Sequence, residues 1–206
     1  MGRKQDKILV VDVEATCWNH PPPNGEVSDI IEIGLCSWDA GTGEISPPTG
    51  MFVRPTRSTL GDYCRALTGI TPRQVFKGGM DYGAACRRLE TRFGSRNKPW
   101  ASFGDGDARM IQGQCQDFGL EYPMGLSYFN IPLMFNLMTG ENRSVGLEEM
   151  VVEMGLTFEG KAHSAAWDAF NAAKVLRALM SHRYRKVFGP APTPPSSSDF
   201  SSGERL

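Results

Sequence analysis

The sequence has no Cys-x-x-Cys pair, only three histidines, and only five cysteines, set far apart at Cys17, Cys36, Cys64, Cys86 and Cys115. These shortages argue against a disulfide framework and a structural zinc site, and they suit a reducing, cytoplasmic setting. Long hydrophobic runs are missing too. The run Ile8 to Val11 is broken by Asp12, and the apolar-rich stretch Ile131 to Met138 is far shorter than the roughly 20 residues of a membrane helix. Neither a signal-peptide core nor a membrane partner is expected, and Asp6 stands where myristoylation after Gly2 requires Ser or Thr. There is no excess of one charge either. With a formal net charge of -1, the chain lacks the long-range field that draws strongly basic proteins to phosphates, so any nucleic-acid contact must be local.

What is present is ordinary globular material. A chain of 206 residues with 40% hydrophobic and 22% charged side chains suits one α/β domain with a sizeable core. That domain is expected over residues 1–188. The Pro/Ser-rich segment from Gly189 to Leu206 buries too little apolar surface to order itself and is expected to be a disordered tail.

Ile8-Leu-Val-Val11 predicts a strand buried on both faces, hence mid-sheet. Ile30 to Trp38 predicts a second strand, and the turn chemistry of Asp39-Ala-Gly-Thr-Gly43 leads to a third around Met51 to Val53, an antiparallel meander. Helical signals follow at Asp62 to Leu67, Thr71 to Val75 and Tyr82 to Phe93. Trp100 to Phe103 predicts a strand and Gly106 to Phe118 a helix. Tyr128 to Ile131 fits a fifth strand, and Leu133 to Met138 and Leu147 to Met154 fit helices, the latter with Ser144 as N-cap. A last helix begins near Ser164, with Ala169, Ala172, Ala173, Leu176 and Met180 forming a face that packs on the sheet.

Asp12 and Glu14 alternate with Val11 and Val13, and the period of two puts both carboxylates on one face of the first strand. Crowded anions at the end of a buried strand attract a hard divalent cation; the alternative is two solvated acids where the strand leaves the core. Gly104-Asp105-Gly106-Asp107 follows the fourth strand, where open α/β sheets face a ligand crevice. Asp105 is assigned the helix cap, by accepting from the amide of Asp107 or Ala108, and Asp107 the metal. His163 sits in a loop after Gly160, suited to proton transfer by a reachable imidazole, while Asp168 projects from a fixed turn, as a rigid ligand should. Taken singly, His163 also reads as a plain loop histidine, and Asp168 as a first-turn acid favoured by the helix dipole.

Taken together, Asp12-x-Glu14, Asp107 and His163-x4-Asp168 resemble the DEDDh subgroup of the DnaQ-like exonucleases. Asp12-Val-Glu-Ala-Thr-Cys17, Ile30-Ile31-Glu32-Ile33-Gly34 and Leu67-Thr-Gly-Ile-Thr71 are similar to the branch that includes the histone-mRNA 3' exonucleases. The resemblance runs from about Lys7 to Leu179. It implies a ribonuclease H-like α/β fold with a five-stranded mixed sheet flanked by helices. It also implies two Mg2+ or Mn2+ ions per active site and hydrolysis of the 3'-terminal phosphodiester of single-stranded RNA or DNA to nucleoside monophosphates. By the same analogy Asp12 bridges both ions, Glu14, Asp107 and Asp168 complete their shells, and His163 takes the proton from the attacking water.

Substrate contact is expected from Tyr63 and Leu67, one helical turn apart and able to sandwich a terminal base, with Ile70 beside them. The competing reading makes Leu67 and Ile70 simply core. Ala15 and Thr16 are candidates for backbone contacts to the terminal sugar. Two departures from the family pattern stand out: Gly106 precedes Asp107 where relatives often carry an aromatic, so that a stacking wall for the base is either missing or supplied by Phe103, and Trp167 precedes Asp168 where many relatives carry a second acid. Two other readings use the same fold: a non-catalytic nucleic-acid-binding adaptor, and the proofreading subunit of a polymerase with the tail as docking segment. The sequence names no protein partner.

Overall fold

The computed structural model describes residues 6–181. The expected tail at 189–206 and the end of the expected domain span lie outside the described residues. Strand β1 (Lys7–Ala15) runs on past the four-residue run expected of it. It pairs antiparallel with β2 (Ile30–Asp39), which pairs antiparallel with β3 (Thr49–Phe52). On its other side β1 pairs parallel with β4 (Trp100–Ser102), and β4 pairs parallel with β5 (Tyr128–Asn130). The order β3-β2-β1-β4-β5 makes a five-stranded mixed sheet with β1 at its centre, the ribonuclease H-like arrangement. The turn after β2 forms as its residues dictate: Asp39 Oδ1 accepts from the amides of Gly41 and Thr42 at 2.9 and 3.0 Å.

Helices cover both faces, as a sheet this apolar requires. On one face, α3 (Tyr82–Phe93) and α4 (Gly106–Asp117) pack Leu89 and Ile111 against Leu9, Val11 and Leu35. On the other lie α5 (Ile131–Thr139), α6 (Leu147–Glu153) and α7 (Ala165–Met180), where Phe135, Met150 and Leu176 meet Val10, Cys36 and Ala101. The short α1 (Asp62–Thr68) and α2 (Pro72–Phe76) build a small third cluster of Ile31, Leu60, Cys64, Ile70 and Val75. Among the described residues no helix is long and apolar enough to cross a membrane.

Helix α7 sits closest to the sheet. Its alanines Ala169, Ala172 and Ala173 offer a flat face, and a Cβ at Gly34 of β2 would lie 1.9 Å from the Ala165 carbonyl carbon, so only glycine permits this approach. The buried face continues through Leu179; Met180, expected on it, is exposed because the helix ends there. Each buried leucine of this face contributes about 1.5–3 kcal/mol. Two expected caps do not form. Gly146 occupies the N-cap of α6 in place of Ser144. Asp105 holds the N-cap position of α4, but its side chain caps nothing and pairs instead with Arg109 at 2.8 Å, one turn on.

Candidate active site

The strand order reverses direction of connection around β1, and the crevice beyond its C-terminal end is where such sheets bind ligands. Four of the five expected catalytic residues come from elements that end or begin there. Val10 packs toward α7 and Val11 toward α3 and α4, so Asp12 and Glu14, in step with Val10, face the α7 side. Asp12 lines a cavity of about 460 Å³ together with Phe103, Glu148, His163 and Asp168.

Asp107 reaches the same place by a direct bond. Strand β4 stops at Ser102, so the Val13 amide, pointing the way Leu9's does toward Pro99 O, has no strand partner. Asp107 Oδ1 accepts it at 3.0 Å from the first turn of α4.

His163 and Asp168 arrive through the start of α7. Glu14, His163 and Asp168 each bring one potential ligand atom within 4.8 Å of the others. Asp168 lies in the first turn of α7, its amide bonded to Ser164 O at 2.9 Å. His163 is exposed and takes a left-handed backbone, φ 58°, a conformation strained for a non-glycine residue and associated with functional sites. Gly160, φ 76°, lies under the Trp167 indole: a Cβ there would sit 2.0 Å from the ring, so Trp167 braces the loop that holds His163.

A residue with no assigned role in the sequence reading completes the frame. Glu32, only 5% exposed, accepts the Ala165 amide at 3.2 Å and so places a carboxylate at the N-terminus of α7, where the helix dipole favours it. The available signal was an acid between Ile31 and Ile33 in a strand buried on both faces, a position that demands a partner.

The electrostatics of the cluster are those of anions held apart from water. Burial, then the charges of Asp107, Asp168, Glu14 and Glu32, hold the Asp12 carboxyl well above the usual carboxylate range. Burial and then Asp168, Glu32 and Asp107 push Glu14 to about 8. Burial raises Asp107 to about 6 against the pull of the Val13 amide, and burial raises Asp168 to about 7, with Glu148 and Glu32 adding to it. Lys161 opposes the trend at Glu14 and Glu32, but its ammonium is bonded to Thr68 O at 2.8 Å. An all-carboxylate oxygen set this frustrated fits a hard divalent cation, which takes oxygen ligands and relieves like-charge crowding.

The expected substrate contacts divide. Phe103 is in the cavity wall, and Leu67 is half-buried on α1. Tyr63, 44% exposed, lines a neighbouring cavity instead. Ile70 is 3% exposed and packed among Ile31, Leu60, Cys64 and Val75, so the core reading holds for it and it has no face left for a base. Thr16 is 1% exposed, with its polar groups engaged inside the protein. Its amide donates to Asp29 O at 2.9 Å, its carbonyl accepts from Ser28 Oγ at 2.6 Å, and its hydroxyl meets the Asp29 amide and Ser58 Oγ. The Ala15 carbonyl accepts from the Cys64 thiol at 3.5 Å.

A family model described as Exonuclease (RNase T) matches residues 9–176. Relatives include the human protein "3'-5' exoribonuclease 1", 28% identical over 180 residues, covering 82% of this chain and 51% of that protein. The Drosophila melanogaster "3'-5' exonuclease Snipper" is 28% identical over 193 residues, covering 82% of this chain and 67% of that one. The chain thus spans about half the length of the human relative. Among solved structures, the nuclease domain of 3'hExo, a DEDDh family member bound to rAMP, superposes with a TM-score of 0.76 at 27% identity, covering 85% of this chain and 92% of that one. A 3'-exonuclease recognising the histone mRNA stem-loop superposes with the same TM-score, 0.76, at 26% identity over 85% of this chain and 64% of its own.

Proposed function

The chain belongs to the exonuclease/RNase T family, and from that premise we propose that it is a 3'-to-5' exonuclease that hydrolyses the terminal phosphodiester of single-stranded RNA or DNA to nucleoside 5'-monophosphates. The observation that carries this reading is the convergence of Asp12, Glu14, Asp107 and Asp168, from β1, α4 and α7, into one crevice where every one of them is harder to ionise than an ordinary acid. These four carboxylates would hold two Mg2+ or Mn2+ ions. Such ions, when bound, polarise the phosphoryl oxygens and make water a stronger acid.

The protein's own part is positioning and proton transfer. His163, exposed beside Glu14 and Asp168, takes a proton from the attacking water at a ring nitrogen. Glu14 and Asp168 flank that imidazole and stabilise the imidazolium that forms. Phe103, in the cavity wall, bounds the space for the terminal base. The relatives named above include an exoribonuclease and a protein that recognises the 3' end of an RNA stem-loop, which favours RNA 3' ends as the first substrate to try. Free thiols at all five cysteines suit a reducing compartment such as the cytoplasm.

The test is incubation with 5'-labelled and 3'-labelled single strands in Mg2+. Shortening from the 3' end is expected, with at least a hundred-fold loss in Asp12→Ala. Tight binding of the strand with no shortening, even in Mn2+, would replace the enzyme reading with that of an adaptor.

A further inference from the structure

A second cavity, of about 510 Å³, lies just past the end of β1, lined by Cys17, Trp18, His20, Asp62, Tyr63 and Ala66 among others. It adjoins the proposed active site through the chain itself. Cys17 is five residues beyond Asp12, a separation of at most about 17 Å along an extended strand, and helix α1, which supplies Tyr63, is joined to β1 by the Cys64 thiol on Ala15 O at 3.5 Å.

The lining tells what the cavity would take. No lysine or arginine lines it, so it is not built to hold a phosphate. Its one carboxylate, Asp62, is paired with Arg65 at 2.8 Å. It offers ring faces instead: Trp18 half-buried, His20 exposed, and Tyr63 44% exposed. The His20 ring is held by its own backbone neighbour, since Pro21 O can only accept and Nδ1 donates to it at 2.7 Å. Aromatic faces around an open cavity beside a nuclease crevice match the chemistry that holds single-stranded bases without reading their sequence.

We propose that this cavity is a stacking subsite, with Trp18 as its anchor, for a base of the single strand upstream of its 3'-terminal nucleotide. The subsite rests on the exonuclease reading. It gives a nearly neutral protein a grip on the strand that does not depend on charge, and it gives a role to Tyr63, which lines this cavity and not the catalytic one.

The experiment is a cycle on the full chain in Mg2+, with Trp18→Ala and Trp18→Phe. Each protein degrades an intact single strand and a strand in which the two nucleotides before the terminal one are abasic. For the unaltered protein and Trp18→Phe, removing those bases is expected to raise KM between about five-fold and about 150-fold, the effect of about 1–3 kcal/mol of stacking. Trp18→Ala is expected to show the raised KM on the intact strand and no further rise on the abasic one. Equal abasic effects in Trp18→Ala and the unaltered protein overturn the subsite while leaving the exonuclease reading in place. Failure of the unaltered protein to shorten either strand removes both.

Discussion

Asp107 and Asp168 reach one crevice by different routes. Asp107 is fixed by its own carboxylate, which takes the Val13 amide at 3.0 Å where β4 has stopped. Asp168 is fixed by the helix beneath it, whose first residue touches Gly34 and whose N-terminus is held by Glu32 at 3.2 Å. On the proposed reading one carboxylate does two jobs with one side chain, and the other depends on the fit of a helix to a sheet. The fold around the first should tolerate a change of charge that keeps an acceptor for the Val13 amide. The second should tolerate no change in the fit.

The largest effect is expected from Gly34→Ala. The added methyl would meet backbone at 1.9 Å, which cannot turn aside, so α7 must lift. Overpacking of this kind costs about 1–3 kcal/mol, or roughly 2–12 °C in Tm. A displacement of about 1 Å at a catalytic ligand costs on the order of a hundred-fold in rate. Thermal melting and 3'-end cleavage together check it, and wild-type rate in the variant would mean that α7 is not held by this contact.

A smaller effect separates the two duties of Asp107. Asp107→Asn keeps an oxygen for the Val13 amide, so its Tm should stay within a few degrees of the unaltered protein while cleavage and Mn2+ binding are lost. Asp107→Ala also strands the amide, and should lose a further 1–3 kcal/mol, roughly, of stability. Equal melting of the two variants would show that the bond to Val13 contributes nothing.

Stability without metal should also depend on pH. Glu14 and Asp168 rise to about 8 and about 7 in the folded chain, so between their unfolded values and these the native state binds more protons than the unfolded one. Stability then falls as pH rises. Metal-free protein should melt higher near pH 5.5 than near pH 8.5, and excess Mg2+ should flatten the slope. A metal-free melting curve that rises across that interval would contradict the assigned crowding.

What the sequence made legible is what depends on short-range rules. The alternation Asp12-Val13-Glu14 follows from the period of a strand, and the Tyr82–Phe93 helix from the spacing of its apolar residues. The run from His163 to Asp168 lies where a loop enters a helix, as its residues indicate. What stayed hidden depends on contacts far along the chain. Glu32 finds its partner 133 residues away, and Thr16 spends its polar groups on segments at 28–29 and 58. Burial of Ile70 follows from how α1 and α2 fold back on Ile31, which no local pattern encodes. Even a local rule failed at Asp105, whose backbone is helical, φ -101° and ψ 0°, and not in the extended conformation from which a side chain caps a helix.

The proposed ligation of divalent metal by Asp12, Glu14, Asp107 and Asp168 beside His163 has a crystallographic readout. Anomalous diffraction from crystals grown with Mn2+ tests it most directly. Manganese peaks within coordinating distance of Asp12 and Asp168 are the predicted result; a crevice without manganese, or manganese bound only elsewhere on the surface, would contradict it.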